Sequence, residues 1–178
     1  SKELIFLIQL AHQGRLTLPQ PSWVSYAPQA QLLSRPVDWV PTSSQDRWLL
    51  SAEGLEAVCL STPSTPRLLI LNSPNNPTGQ SYEHSDLRAL ARVCRKYKVT
   101  VISDEIYGAL HFDSAHPSLS SYYPEGTIVT GGLSKWCGAG GWRLGTAYIP
   151  PQLNRIKETL CAIASETFSA VSAPIQHA

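Results

Sequence analysis

A chain of 178 residues is long enough to bury one hydrophobic core, and an apolar fraction of 43% excludes a disordered chain. Fourteen Lys plus Arg against thirteen Asp plus Glu leave a formal net charge of +1, which excludes a broad electrostatic pull toward nucleic acid or an anionic membrane and points to a small ligand. No apolar run reaches bilayer-spanning length and Ser1-Lys2-Glu3-Leu4-Ile5 lacks the parts of a secretory signal, so the expectation is a cytoplasmic protein.

In chain order, Leu4, Ile5, Leu7, Ile8, Leu10 and Ala11 form a helical face that begins almost at Ser1. Short apolar runs at 17–18, 37–40, 67–71, 99–103, 127–130 and 145–149 read as strands. Several are apolar on both faces, the mark of a largely parallel sheet covered by helices on each side. The Pro-rich stretches 19–28 and 63–66 read as loops. Between the third and fourth strands, Leu87, Leu90, Ala91, Cys94 and Tyr97 make a helical stripe over 83–97, which completes a βαβ crossover. Glu83 and Asp86 lie in its first turns and Arg92, Arg95, Lys96 and Lys98 toward its end, as the helix dipole favours. The last residues, 172–178, read as a helix start without its later turns. Both ends therefore look cut, and the expectation is a single-domain segment of a longer protein.

Cys59, Cys94, Cys137 and Cys161 show no metal-ligand spacing and read as buried free thiols. His12, His84, His111, His116 and His177 form no such cluster either, so no metal and no catalytic histidine is expected.

In open α/β sheets, ligands bind outside the carboxyl ends of the strands. Three such ends carry Asn72-Ser73-Pro74-Asn75-Asn76-Pro77-Thr78-Gly79, Ser103-Asp104-Glu105-Ile106-Tyr107 and Gly131-Gly132-Leu133-Ser134-Lys135, the last followed by Gly141-Trp142-Arg143-Leu144-Gly145. Taken singly, each has an ordinary reading. Lys135 suits a solvated Gly-rich turn, Asp104 a turn cap, Asn75 and Asn76 before Pro77 a turn, and Tyr107 core packing.

In this order and at these separations, the motifs resemble the pyridoxal-phosphate-binding large domain of class I and II aminotransferases, fold type I, over residues 1–178. The resemblance implies a three-layer αβα fold with a mostly parallel sheet and transfer of an amino group between an amino acid and a 2-oxo acid. Lys135 then matches the lysine that forms a Schiff base with pyridoxal 5'-phosphate and moves the substrate proton, a task for a desolvated, unprotonated amine. Asp104 matches the partner of the pyridine nitrogen, and Tyr107 and Asn76 the partners of the ring oxygen. Trp23 matches the aromatic residue stacked on the ring. Arg143 matches the phosphate-binding arginine, with Ser1 and Lys2 at the start of the phosphate-binding helix and Ser134 as a further candidate. Gly132 stands where the family often has a serine, so one hydroxyl donor is missing. Tyr26 is placed within reach of the site but reads first as packing, Trp39 and Trp48 read as packing residues, and Trp136 and Trp142 as walls of the lysine loop.

The same site residues suit two alternatives: another fold type I reaction such as a β-lyase or synthase, or an aminotransferase-like sensor domain of a transcription regulator. The resemblance also implies a homodimer and a second, smaller domain carrying the arginine for the substrate carboxylate. No such arginine can be placed in this chain, so the 178-residue polypeptide alone is expected to be inactive, and its amino acid substrate is not readable.

Overall fold

The computed structural model describes residues 1–110 and 116–177; His111 lies outside the described residues. Six strands form one sheet: β1 (Arg15–Gln20), β2 (Val37–Pro41), β3 (Arg67–Asn72), β4 (Thr100–Asp104), β5 (Thr127–Gly132) and β6 (Gly145–Tyr148). Their spatial order is β2-β1-β3-β4-β5-β6, and only the β5–β6 pair is antiparallel. All six expected strands are present. β1 is longer than the 17–18 core because it runs through Pro19, which sequence reasoning gave to a loop. Its pairing with β3 stops at Thr17, so the proline's missing N–H falls where that side of the strand is already open.

Helices α1 (Lys2–Ala11), α2 (Tyr26–Leu32) and α5 (Asn154–Ser165) cover one face of the sheet, and α3 (Ala52–Ser61) and α4 (His84–Tyr97) the other; a short α6 (Ala173–Gln176) ends the described chain. The strands alternate accordingly. Leu68 and Ile70 of β3 join the core under α1, while Leu69 and Leu71 join the core under α4. This is the expected three-layer αβα arrangement. Helix α4 starts on a capping box in which the Glu83 N–H donates to Asp86 at 2.9 Å, and Arg47 donates to both acids from outside.

Several sequence expectations are corrected. The stretch 19–28 is not a loop throughout, because α2 begins at Tyr26 and carries Pro28 in its first turn, where no backbone donor is needed. Cys137 and Cys161 are exposed rather than buried. Trp39 and Trp48 are 45% and 41% exposed, so neither is a core residue. No helix among the described residues is long and apolar enough to cross a membrane.

The amino end of the sheet is tied by a buried ion cluster. Arg67, 3% exposed at the start of β3, donates to Asp38 of β2, to Thr17 of β1 at 2.6 Å and to Thr62 beyond α3 at 2.6 Å, while Arg15 holds Asp38 from the other side. Removing one partner of such a cluster strands the others without solvent. Arg67→Met is expected to destabilise the fold by about 2 to 3 kcal/mol, softened because Arg15 keeps Asp38 paired. Urea unfolding checks this, and a loss below about 0.5 kcal/mol would show that the cluster is not a structural tie.

Candidate active site at the carboxyl ends of the strands

At the opposite end of the sheet, the parallel strands β1, β3, β4 and β5 deliver their following residues to one pocket of about 190 Å³. All nine residues singled out from the sequence line it: Trp23 after β1, Asn76 after β3, Asp104 and Tyr107 at the end of β4, Ser134 and Lys135 after β5, Arg143 before β6, and Ser1 and Lys2 at the start of α1. Residues from 1 to 143 along the chain meet because every parallel strand ends on the same side.

Asp104 is the deepest of them. It is 3% exposed, and burial pushes its carboxyl above the usual aspartate range. Three neutral donors oppose that shift. Tyr26 Oη donates to Oδ2 at 2.6 Å, and the Ile106 N–H and Thr130 Oγ1 donate to Oδ1 at 3.4 and 3.3 Å. Tyr26 itself is 1% exposed, and burial, followed by the nearby carboxylate, pushes its hydroxyl well above its ordinary value. It therefore stays a donor. Tyr26 packs in the core as expected and also reaches the site, where it lines the pocket and grips the central acid. Its position three residues after Trp23, at the start of a helix, was the available signal, obscured by the prolines at 21 and 28.

Across the pocket, Asn76 Nδ2 donates to Tyr107 Oη at 3.4 Å, and Lys135 Nζ stands 5.6 Å from the centre of the Tyr107 ring. Lys135 is exposed, so burial by this chain does not supply the desolvated amine expected from the sequence. Trp23 is half-buried, with its edge toward Tyr26 and Lys2 Nζ 5.4 Å from its ring centre. Trp136 and Trp142, expected as walls of the lysine loop, are 52% and 51% exposed and do not line this pocket.

The far side of the pocket is built for an anion. Ser1 and Lys2 begin the ten-residue α1, whose dipole is positive at that end, and Ser134 and Arg143 stand beside them. Arg143 has a left-handed backbone and donates to the Gly140 carbonyl at 2.8 Å, which closes the lysine loop. Close approach explains the glycines here. A Cβ on Gly132 would lie 2.8 Å from the Leu144 carbonyl oxygen, and one on Gly145 would lie 2.1 Å from the Ser1 nitrogen. The absent serine at Gly132 is thus a steric matter of the β5–β6 pairing, in which Gly132 faces Gly145.

A buried acid at one end and convergent cationic and N–H donors at the other suit a flat ligand with a protonated ring nitrogen and an anionic tail. Among the described residues, no group of three or more His, Cys, Asp or Glu could hold a metal ion.

Known proteins share this sequence pattern and this fold. The sequence pattern of the family described as aminotransferase class I and II matches residues 1–178. The chain is 30% identical over 178 residues to an asparagine–oxo-acid transaminase of Streptococcus mutans, covering 98% of this chain and 44% of that protein. It is 33% identical to an aspartate aminotransferase of Geobacillus stearothermophilus, covering 94% and 43%. Among solved structures, the aspartate aminotransferase of Thermus thermophilus with maleate superposes with a TM-score of 0.87 at 30% identity, covering 98% of this chain and 45% of that one. The aromatic aminotransferase of Pyrococcus horikoshii gives 0.87 at 32%, covering 99% and 48%. The chain spans less than half the length of these relatives.

Asp104 generates a pH prediction. Its carboxyl is raised on folding, so the folded state binds its proton more tightly than the unfolded chain. The acid therefore favours folding below its unfolded value and costs stability as pH rises through its folded one. Asp104→Asn, which removes the charge, is expected to raise the melting temperature of the ligand-free protein at pH 7, by a margin that shrinks as pH falls through the carboxylate range. Thermal unfolding across pH checks the sign; a drop at pH 7 that fades as pH falls would mean that the ionised carboxylate is net stabilising.

Proposed function

The chain belongs to the class I and II aminotransferases, and from that premise we propose that residues 1–178 form the pyridoxal-phosphate-binding large domain of an enzyme that transfers an amino group between an amino acid and a 2-oxo acid. The observation that carries the reading is the convergence of all nine sequence-selected residues on one pocket, around a buried carboxylate that lacks a cationic donor among its three hydrogen-bond partners. When bound, pyridoxal 5'-phosphate supplies an electron-accepting ring and an aldehyde carbon open to attack by an amine.

The residues of the chain divide the work around that group. Asp104 holds a proton on the ring nitrogen, the form in which the ring draws electrons from the substrate. Tyr26 keeps the Asp104 carboxylate oriented and ionised. Tyr107 and Asn76 would hold the ring oxygen, and Trp23 would cover the ring. Arg143, Ser1, Lys2 and Ser134 hold the phosphate through charge, hydroxyls and the start of α1. Lys135 would hold the group covalently and, with its amine freed by an incoming amine, would be the base that takes up and returns the substrate proton. Its exposure suits an arm that must move between these tasks.

The relatives named for asparagine, aspartate and aromatic substrates share this fold, so the proposal extends to the reaction type and leaves the amino acid open. The same reading includes the cytoplasmic homodimer that the resemblance implies.

The anchor is tested in the intact protein that carries this chain. Incubation with pyridoxal phosphate followed by borohydride reduction is expected to add the cofactor's mass to the peptide containing Lys135. Lys135→Ala should take no label there and should lose turnover of amino acid to oxo acid by on the order of 10³-fold or more. Labelling of the parent at another lysine would sink the assignment.

A further inference from the structure

Asn72, the last residue of β3, is engaged at both ends of its amide. It is 5% exposed, lines the pocket and lies opposite Asp104 in the β3–β4 register. Its Nδ2 donates to the Asp104 backbone carbonyl at 2.8 Å, and its Oδ1 accepts the Asn76 N–H at 2.7 Å. Those partners dictate which way the amide faces, because a carbonyl can only accept and a backbone N–H can only donate.

The turn after β3 gives this pair of bonds its weight. Within it, the Asn75 N–H donates to the Gln80 carbonyl and the Gly79 N–H to the Asn75 carbonyl, both at 2.8 Å, and Asn75 Nδ2 donates to Thr78 Oγ1 at 2.9 Å, so those residues are secured within the turn itself. Asn76 is secured through the side chain of Asn72 instead. Asn76 in turn aims Nδ2 at Tyr107 Oη, and the Asp104 carboxyl hangs from the same residue whose carbonyl Asn72 holds. One buried amide thus spans the two strand ends that carry the acid and the oxygen-binding asparagine. A residue needed only for packing would use neither bond, and burying an amide without them would be costly.

We propose that Asn72 is a positioning residue that sets the spacing between the Asp104 carboxylate and the Asn76 amide, and so keeps the nitrogen and oxygen edges of the cofactor ring in register with their partners. This inference rests on the function proposed above. Asn72 touches neither edge itself and acts through its two neighbours. Losing it lets the turn at Asn76 drift from the end of β4 while leaving the sheet pairing intact.

The test uses the intact protein loaded with pyridoxal phosphate, with Asn72→Ala and, should that variant fail to fold, Asn72→Ser, which keeps a hydroxyl near the Asp104 carbonyl but cannot reach Asn76. Two quantities are read: the dissociation constant for pyridoxal phosphate from quenching of tryptophan fluorescence, and the pH midpoint of the absorbance change of the Lys135-bound cofactor. The expected result is binding weaker by about tenfold and a midpoint moved by about half a pH unit, because the ring oxygen loses a fixed donor. A folded variant that melts earlier yet keeps the parent's midpoint and binds within about twofold would overturn the positioning role and leave Asn72 a structural residue. If the parent itself takes no borohydride-fixed label at Lys135, the proposed function falls and this inference falls with it.

Discussion

Burial opposes the ionisation of Asp104 at the carboxyl end of β4, and the elements around it are arranged to answer that cost. Tyr26 comes from the first turn of α2, Thr130 from β5, and the Ile106 N–H from the turn that follows Asp104 itself. Each donor belongs to a different piece of the chain, so the acid is well served only when those pieces are packed together. All three are neutral, which leaves the carboxylate short of a countercharge in its immediate shell. A cationic ring nitrogen is the natural complement, and the pocket opens where one would sit.

The sheet makes this convergence possible. Parallel strands end on one side, and crossover helices that start there carry the chain back to the opposite side for the next strand. The two ends of the sheet are consequently specialised. The Arg15, Asp38 and Arg67 cluster braces the amino ends of β1, β2 and β3, where nothing needs to bind, and the carboxyl ends remain free for polar side chains that do not pack. Antiparallel β6 departs from the pattern for a local reason. It brings Gly145 against Gly132, and the missing side chain of Gly145 makes room for Ser1 while that of Gly132 makes room for the Leu144 carbonyl.

How much of this was legible in the sequence depended on the range of the interaction concerned. The strand core at 67–71 was readable because a continuous apolar run records burial on both faces, and α4 was readable from a stripe with matching end charges. Helix α2 was hidden because Pro28 reads as a breaker, although in the first turn of a helix it removes no bond. The exposed tryptophans were misjudged for a related reason. Side-chain type gives an average tendency to be buried, and only the neighbours decide the individual case. Gly132 looked like a lost donor and is instead a close contact with the strand beside it.

By itself, the sequence determined the family, the order of the strands, and nine of the twelve residues that line the pocket, because motifs and periodicities are local and survive being read along a line. Tertiary structure decided how those residues are supported. Tyr26 gripping Asp104 across 78 positions, Asn72 joining Asp104 to Asn76, and Lys135 standing exposed beside Tyr107 are consequences of strand register and helix docking. Such relations depend on which strand lies next to which and how deeply each side chain is covered. Neither quantity is written at any single position of the chain.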